Sequence, residues 1–169
     1  MKKDFELLHM EEIIRNLNNE LEKIEGRSLQ GMILAAIHIQ RDMIQTAPKI
    51  PIDYGNLQHS YFTISNKGGG DQMPGKKPEG DMLSEHQSTV STVESVIRAE
   101  RMPVVAMGFS ANYAVFVHEN LDANFARPKK VGGKLKNRRP GAGARFFSSA
   151  LDRNHKEILR IIGQNAQIK

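Results

Sequence analysis

At 169 residues the chain has the length of one domain with room for an additional element or two. Its 39% hydrophobic and 25% charged content suits a globular chain with a modest core rather than a disordered one. The absence of cysteine excludes disulfides, thiolate nucleophiles and cysteine-ligated zinc or iron–sulfur sites, while a net charge of +5 admits contact with polyanions without regard to their sequence.

With seven Phe, three Tyr and no Trp, the core is expected to rest on Ile, Leu, Val, Met and Ala. The opening "MKKDFELLHM" has two lysines but no apolar run behind them, so it does not read as a signal peptide. No stretch approaches the ~20 apolar residues of a membrane span. The expected place is the cytosol, or something assembled there, and no membrane partner is expected.

Residues 4–25 carry Leu7, Met10, Ile14, Leu17, Leu21 and Ile24 at alternating spacings of three and four, a heptad seam along one side of a helix. Gly26 is placed as its C-terminal stop. Residues 1–26 therefore read as an extension whose seam lies against a second helix of the chain or against a neighbouring copy. Residues 27–169 read as a single domain.

Ser28 is placed to cap a second helix to about residue 46, with Leu29, Met32, Ile33, Ala36, Ile37, Ile39, Met43 and Ile44 as a wide, core-facing stripe. Thr46-Ala47-Pro48 ends it, since proline cannot continue the hydrogen-bond ladder. His38, among apolar neighbours, reads as a satisfied core histidine. A turn-rich connection follows, and residues 57–66 lead through a short turn into a strand in which Tyr61, Thr63 and Ser65 alternate with Phe62 and Ile64. The glycine-rich stretch "NKGGGDQMPGKKPEGD" has almost nothing to bury, and a mobile loop is expected at about 66–87.

Residues 88–100, rich in Ser, Thr, Val and Ile, read as a strand that forms a hairpin with "VVAMGF". Ser110 is placed to cap a short helix within "ANYAVFVHEN", whose apolar face reads as Ala114, Val115 and Val117. A second mobile loop is expected at about 120–142. It holds Arg127, Lys129, Lys130, Lys134, Lys136, Arg138 and Arg139, seven cations without an acid among them, and its Pro and Gly residues exclude a helix. The last helix is expected from about Gly143 to Gly163, with Phe147, Leu151, Ile158, Ile161 and Ile162 on one face.

His118, Glu119 and Asn120 are residue types of proton transfer and metal chemistry, but no second histidine stands at the spacing of a helical zinc site. "HEN" resembles the start of a His-Asn-His nuclease, for which Asn154-His155 is the remaining candidate, adjacent and without the usual spacing. No G-x-S-x-G is present, and the "KGGGD" and "GAGAR" glycines lack the lysine-threonine pair and the strand–turn–helix frame of phosphate-binding and dinucleotide-binding loops. No catalytic residue, metal or cofactor is expected.

Four segments in one order carry a resemblance: "TAP" after a core helix, "DYGNLQHS" before a strand, "ANYAVFVHEN", and "GAGARFFSSAL" opening the last helix. This order is similar to that of the tail-completion proteins of tailed bacteriophages, the small neck or head–tail joining family. Its matching positions here are Ala47, Pro48, Asp53, Gly55, Leu57 and Ser60; Tyr113, Ala114, Val117, His118 and Glu119; and Phe146, Phe147, Ala150 and Leu151. Tyr54 stands where the family usually has threonine. The resemblance implies an α+β fold, a small antiparallel sheet packed against a long core helix and a C-terminal helix, here with an extra N-terminal amphipathic helix. It further implies a non-enzymatic virion protein that forms a ring with copies of itself, in the neck or at the tail end. The implied neighbours are other neck, portal, adaptor or tail proteins, with non-specific contact to channel DNA. The alternative is a basic nucleic-acid-binding or His-Asn-His nuclease-like protein. The basic run contains no aromatic residue, which argues against a single-strand stacking platform and leaves phosphate contact.

Overall fold

A computed structural model of the chain describes residues 2–52, 55–68, 76–131, 134–136 and 138–167, with side chains described outside 2–9, 129–131 and 134–136. The architecture is α+β. Its first element, α1, runs Lys2–Gln45 as one helix of 44 residues, roughly 66 Å long at 1.5 Å per residue. The expected stop at Gly26 is absent. Gly26 lies inside the helix without a positive φ and meets nothing within 4 Å of where a Cβ would stand. A helical glycine costs only about 1 kcal/mol relative to alanine, too little to break a ladder that good helix formers continue on both sides. The N-terminal helix is thus the free half of the core helix, not a separate element.

The core half of α1 buries Ala35, Ala36, Ile39 and Met43, and ends at Gln45 as the following Ala47-Pro48 requires. Helix α2 (Asn56–His59) leads into strand β1 (Tyr61–Ser65). Residues 88–97, expected as a strand, belong instead to helix α3 (Asp81–Ile97). Their β-branched residues satisfy an alternating pattern locally. Val90, Val93 and Ile97 also recur at helical spacing, and that face packs on Phe62 and Ile64. The loop expected over 66–87 accordingly ends at Gly80; its residues 69–75 lie outside the described ones.

Strand β2 (Val105–Phe109) pairs antiparallel with β1, from Tyr61 opposite Phe109 to Ser65 opposite Val105, so the hairpin expected with residues 88–100 does not form. All five β1 residues are buried, because α3 covers the Phe62 and Ile64 face while α1 and the chain's last helix cover the face of Tyr61. Helix α4 (Ala114–Glu119) follows, then strands β3 (Lys129–Val131) and β4 (Lys134–Lys136), which form a separate antiparallel hairpin with Lys129 opposite Lys136. The basic run expected as a loop therefore contains paired strands.

Helix α5 (Phe146–Ala166) packs antiparallel along the core half of α1. Gly31 makes the close approach possible: a Cβ there would stand 2.9 Å from the Ile162 Cα. Further along, His38 Nε2 meets Asn154 Oδ1 at 2.9 Å, giving the core histidine a partner, and the Arg153 guanidinium donates to Asp42 Oδ2 at 2.5 Å and to the Ala47 carbonyl at 3.1 Å. Phe146, Tyr61 and Phe109 join Ile39, Met43 and Ile50 in the main core, with Phe109 edge-on to Tyr61, Phe146 and Phe147.

Candidate functional site

The four motif segments meet at the end of α1 that lies in the body. Past Pro48, the Lys49 N–H donates to the Gly141 carbonyl at 2.8 Å, and the Gly143 N–H donates to the Lys49 carbonyl at 3.2 Å. Gly143 lies so close to Pro48 that a Cβ would be 3.1 Å from the Pro48 Cβ. "TAP" and "GAGAR", nearly a hundred residues apart, form one surface.

Gly55 has φ 85°, the left-handed value that the turn before α2 requires, and a Cβ there would also press on the His59 ring at 3.1 Å. Leu57 is buried beyond it. The Ser60 hydroxyl donates to the Leu57 carbonyl at 2.8 Å, and the Ser60 carbonyl accepts from the Ser110 N–H at 2.9 Å. Ser110 is buried and its hydroxyl also meets His86 Nδ1 at 2.8 Å. Ser110 therefore does not cap α4. It ties the end of β2 to α3, and α4 begins after Tyr113 without a side-chain cap. Sequence reading gave Ser110 a capping role and passed over His86, because their pairing spans 24 residues and no local spacing announces it.

Tyr113 and Val117 line an open cleft of about 370 Å³ with Gly55, Leu57, Phe125 and Arg138. Ala114 is buried in the main core, whereas Val115, expected on the apolar face, is 73% exposed. A helix of six residues shows the core only one narrow side, here Ala114 and Val117.

His118 holds the start of α5. Its Nε2 accepts the Ser148 N–H at 3.3 Å, its carbonyl accepts the Arg145 N–H at 2.7 Å, and its ring sits edge-on to Phe146 with centroids 5.1 Å apart. The residue before α5, Arg145, has φ 53° and no side-chain acceptor to offer, so the first-turn amide of Ser148 is satisfied from α4 instead. Because Nε2 accepts, the ring proton lies on Nδ1 and points to Glu119 Oε1 at 2.6 Å. The histidine, the glutamate and the aromatic motif are thus one packing and capping unit. Phe147 and Leu151 pack against the same core from α5.

The seven cations divide. Arg127 is exposed, Arg138 lines the cleft half-buried, and Lys129, Lys130, Lys134 and Lys136 occupy the β3–β4 hairpin, their side chains beyond the described ones. Arg139 is tied into the fold: it donates to the Ile50 carbonyl at 3.2 Å and to Gln58 Oε1 at 2.7 Å, and burial lowers its pKa from the ordinary arginine value. Asp53 lies outside the described residues. Among the described residues no three His, Asp or Glu side chains cluster as a metal site would require, and no helix is long and apolar enough to cross a membrane.

Fold and site together define an α+β scaffold whose sequence motifs converge on packing, capping and an open cleft. Comparison with family models, with curated proteins and with solved structures finds no match for this chain.

Proposed function

We propose that the chain is a non-enzymatic structural subunit of a tailed-phage virion, forming a ring in the neck or head–tail connector or at the tail end. The observation that carries this reading is the convergence of the four motif segments. Pro48, Gly55, Leu57, Ser60, Tyr113, Ala114, Val117, His118, Phe147 and Leu151, scattered over a hundred residues, all serve one junction. Their work there is steric and hydrogen-bonding: a left-handed turn, a helix cap and ring contacts. A ring subunit needs such a rigid frame and two surfaces that close on identical neighbours. Neighbouring neck, portal, adaptor or tail proteins would take its outer faces.

The test is to locate the subunit in intact particles by electron microscopy, expecting cyclic copies at the neck or tail. A subunit that is monomeric within assembled virions, or absent from neck and tail, overturns the reading.

A second reading, a basic nucleic-acid-binding protein, is favoured by one observation: the hairpin pairs lysine with lysine and so concentrates cations. Binding to duplex DNA of unrelated sequences should then be equal and fall steeply with salt. Neutralising Lys134 and Lys136 would weaken it. For the nuclease-like variant of that reading, metal-dependent DNA cleavage lost in His118→Ala is the required result.

A further inference from the structure

The free half of α1 is exposed on every face from residue 10 to residue 23, although it carries an apolar seam. Met10 and Leu17 are 58% and 59% exposed, and Ile14 and Leu21 are each 50% exposed. An amphipathic helix in water draws most of its stability from whatever covers its apolar face. No described residue of the chain covers this one.

Away from the arm, α4 and the turn after it carry a second group of exposed apolar side chains. Val115, Phe116 and Leu121 are 73%, 69% and 65% exposed, and Val115 lines a groove of about 230 Å³ together with Phe109, Phe146 and Phe147. Other exposed apolar side chains of the body, such as Leu83, Val96 and Leu159, stand singly on helices, as is ordinary.

Charge selects which surfaces match. Residues 4–25 hold seven acids and two bases, a net −5, while the rest of the chain carries +10. Two such arms side by side would repel: in a parallel pairing of the heptads, Glu20 of one copy faces Glu25 of the other. The body as a whole carries the opposite sign to the arm, and two of its cations border α4. Arg138 shares the cleft with Tyr113 and Val117, and exposed Arg145 is bonded through its backbone to His118. The acids on that face are Glu119, engaged by His118, and Asp122.

The arm cannot reach its own patch. Leu17 and Met43, the latter in the core with Ala114, lie roughly 40 Å apart along one continuous helix. We infer that the α1 arm of one copy docks on the α4 face of the next, a head-to-tail contact between identical chains. Two different surfaces joined this way generate rings when the rotation closes and open filaments when it does not. The inference deepens the ring reading and rests on it for its biological setting.

The test uses the full chain with two exposed-site variants, Leu17→Glu on the arm and Phe116→Glu on the patch. Far-ultraviolet circular dichroism and thermal melting check that both remain folded. In sedimentation velocity the wild type should form species larger than a dimer, and each variant should lose more than ~10-fold in association constant. An equimolar mixture of the two should give a one-to-one dimer and nothing larger, since only one arm and one patch remain intact. Arm-to-arm pairing predicts no rescue, so a mixture that stays monomeric overturns the inference. It is equally overturned if Phe116→Glu assembles like the wild type, or if the wild type stays monomeric at high concentration. Cyclic oligomers unaffected by either variant would remove this contact and leave the ring standing. A subunit missing from neck and tail would remove the virion role while the mixing result still judged the contact.

Discussion

The two halves of α1 obey the same local code and meet opposite fates. Residues 10–23 place Met10, Ile14, Leu17 and Leu21 in water, while Ala35, Ala36, Ile39 and Met43, farther along the same helix, are buried. Both halves are amphipathic, and the hydrogen-bond ladder between them is unbroken. The difference is the partner. The second half has α5, β1 and β2 against it; the first has no described element. Periodicity thus reports that a face wants covering, and topology decides whether the chain itself covers it.

The contrast breaks most visibly in the body. Phe146 is 1% exposed and in ring contact with Phe109 and His118, so Phe146→Ala should cost about 3–5 kcal/mol in a denaturant titration. Leu17→Glu in the arm, measured at a concentration low enough to keep the chain monomeric, should move stability by less than ~0.5 kcal/mol. Equal losses at the two sites would mean that the arm is packed after all.

The two glycines of α1 sharpen the same point. Gly31→Ala presses a methyl group toward the Ile162 backbone and should destabilise by about 1–3 kcal/mol. Gly26→Ala meets open space and should stabilise by about 0.5–1 kcal/mol, through the better helix propensity alone. Melting temperatures moving in the same direction would contradict the boundary between body and arm drawn here.

Arg139 and Arg127 make a smaller test within the basic segment. Arg139→Met strands the Ile50 carbonyl and Gln58 Oε1 and should cost about 1–2 kcal/mol by urea unfolding. Arg127→Ala, at an exposed side chain, should leave stability unchanged.

The smallest effect concerns pH on the outer face of α5. The Arg160 guanidinium, hydrogen-bonded to Glu157, holds that carboxylate below its ordinary 4.5. A carboxyl group with a depressed folded-state pKa contributes stability that is complete above its unfolded value and fades as pH falls through the folded one. Unfolding midpoints of Glu157→Gln and wild type should therefore differ slightly at neutral pH and converge in acid. Both groups are solvent-exposed, so the difference stays small.

Much of the candidate junction was legible in the residues themselves. Pro48 had to end a helix, Phe147 and Leu151 had to share a helical face, and Gly55 stood in a turn motif, though its left-handed φ came only with the structure. His118 was visible as a chemically capable side chain, yet its work lies in capping Ser148 thirty residues away. That role follows from Arg145 offering no acceptor at the start of α5, a vacancy that exists only once α4 and α5 touch.

By itself the sequence determined the helices at both ends, strands β1 and β2, and the absence of any thiol chemistry. Those features follow from local sterics and side-chain period, which act within a few residues. Tertiary structure decided the remainder. It drew residues 88–97 into a helix because Phe62 and Ile64 needed a covered face, and it carried α1 through Gly26 because nothing crowds that position. It also placed Arg139 inside the fold and left the heptad seam outside it. Burial depends on what arrives from distant parts of the chain, and no local pattern encodes that arrival.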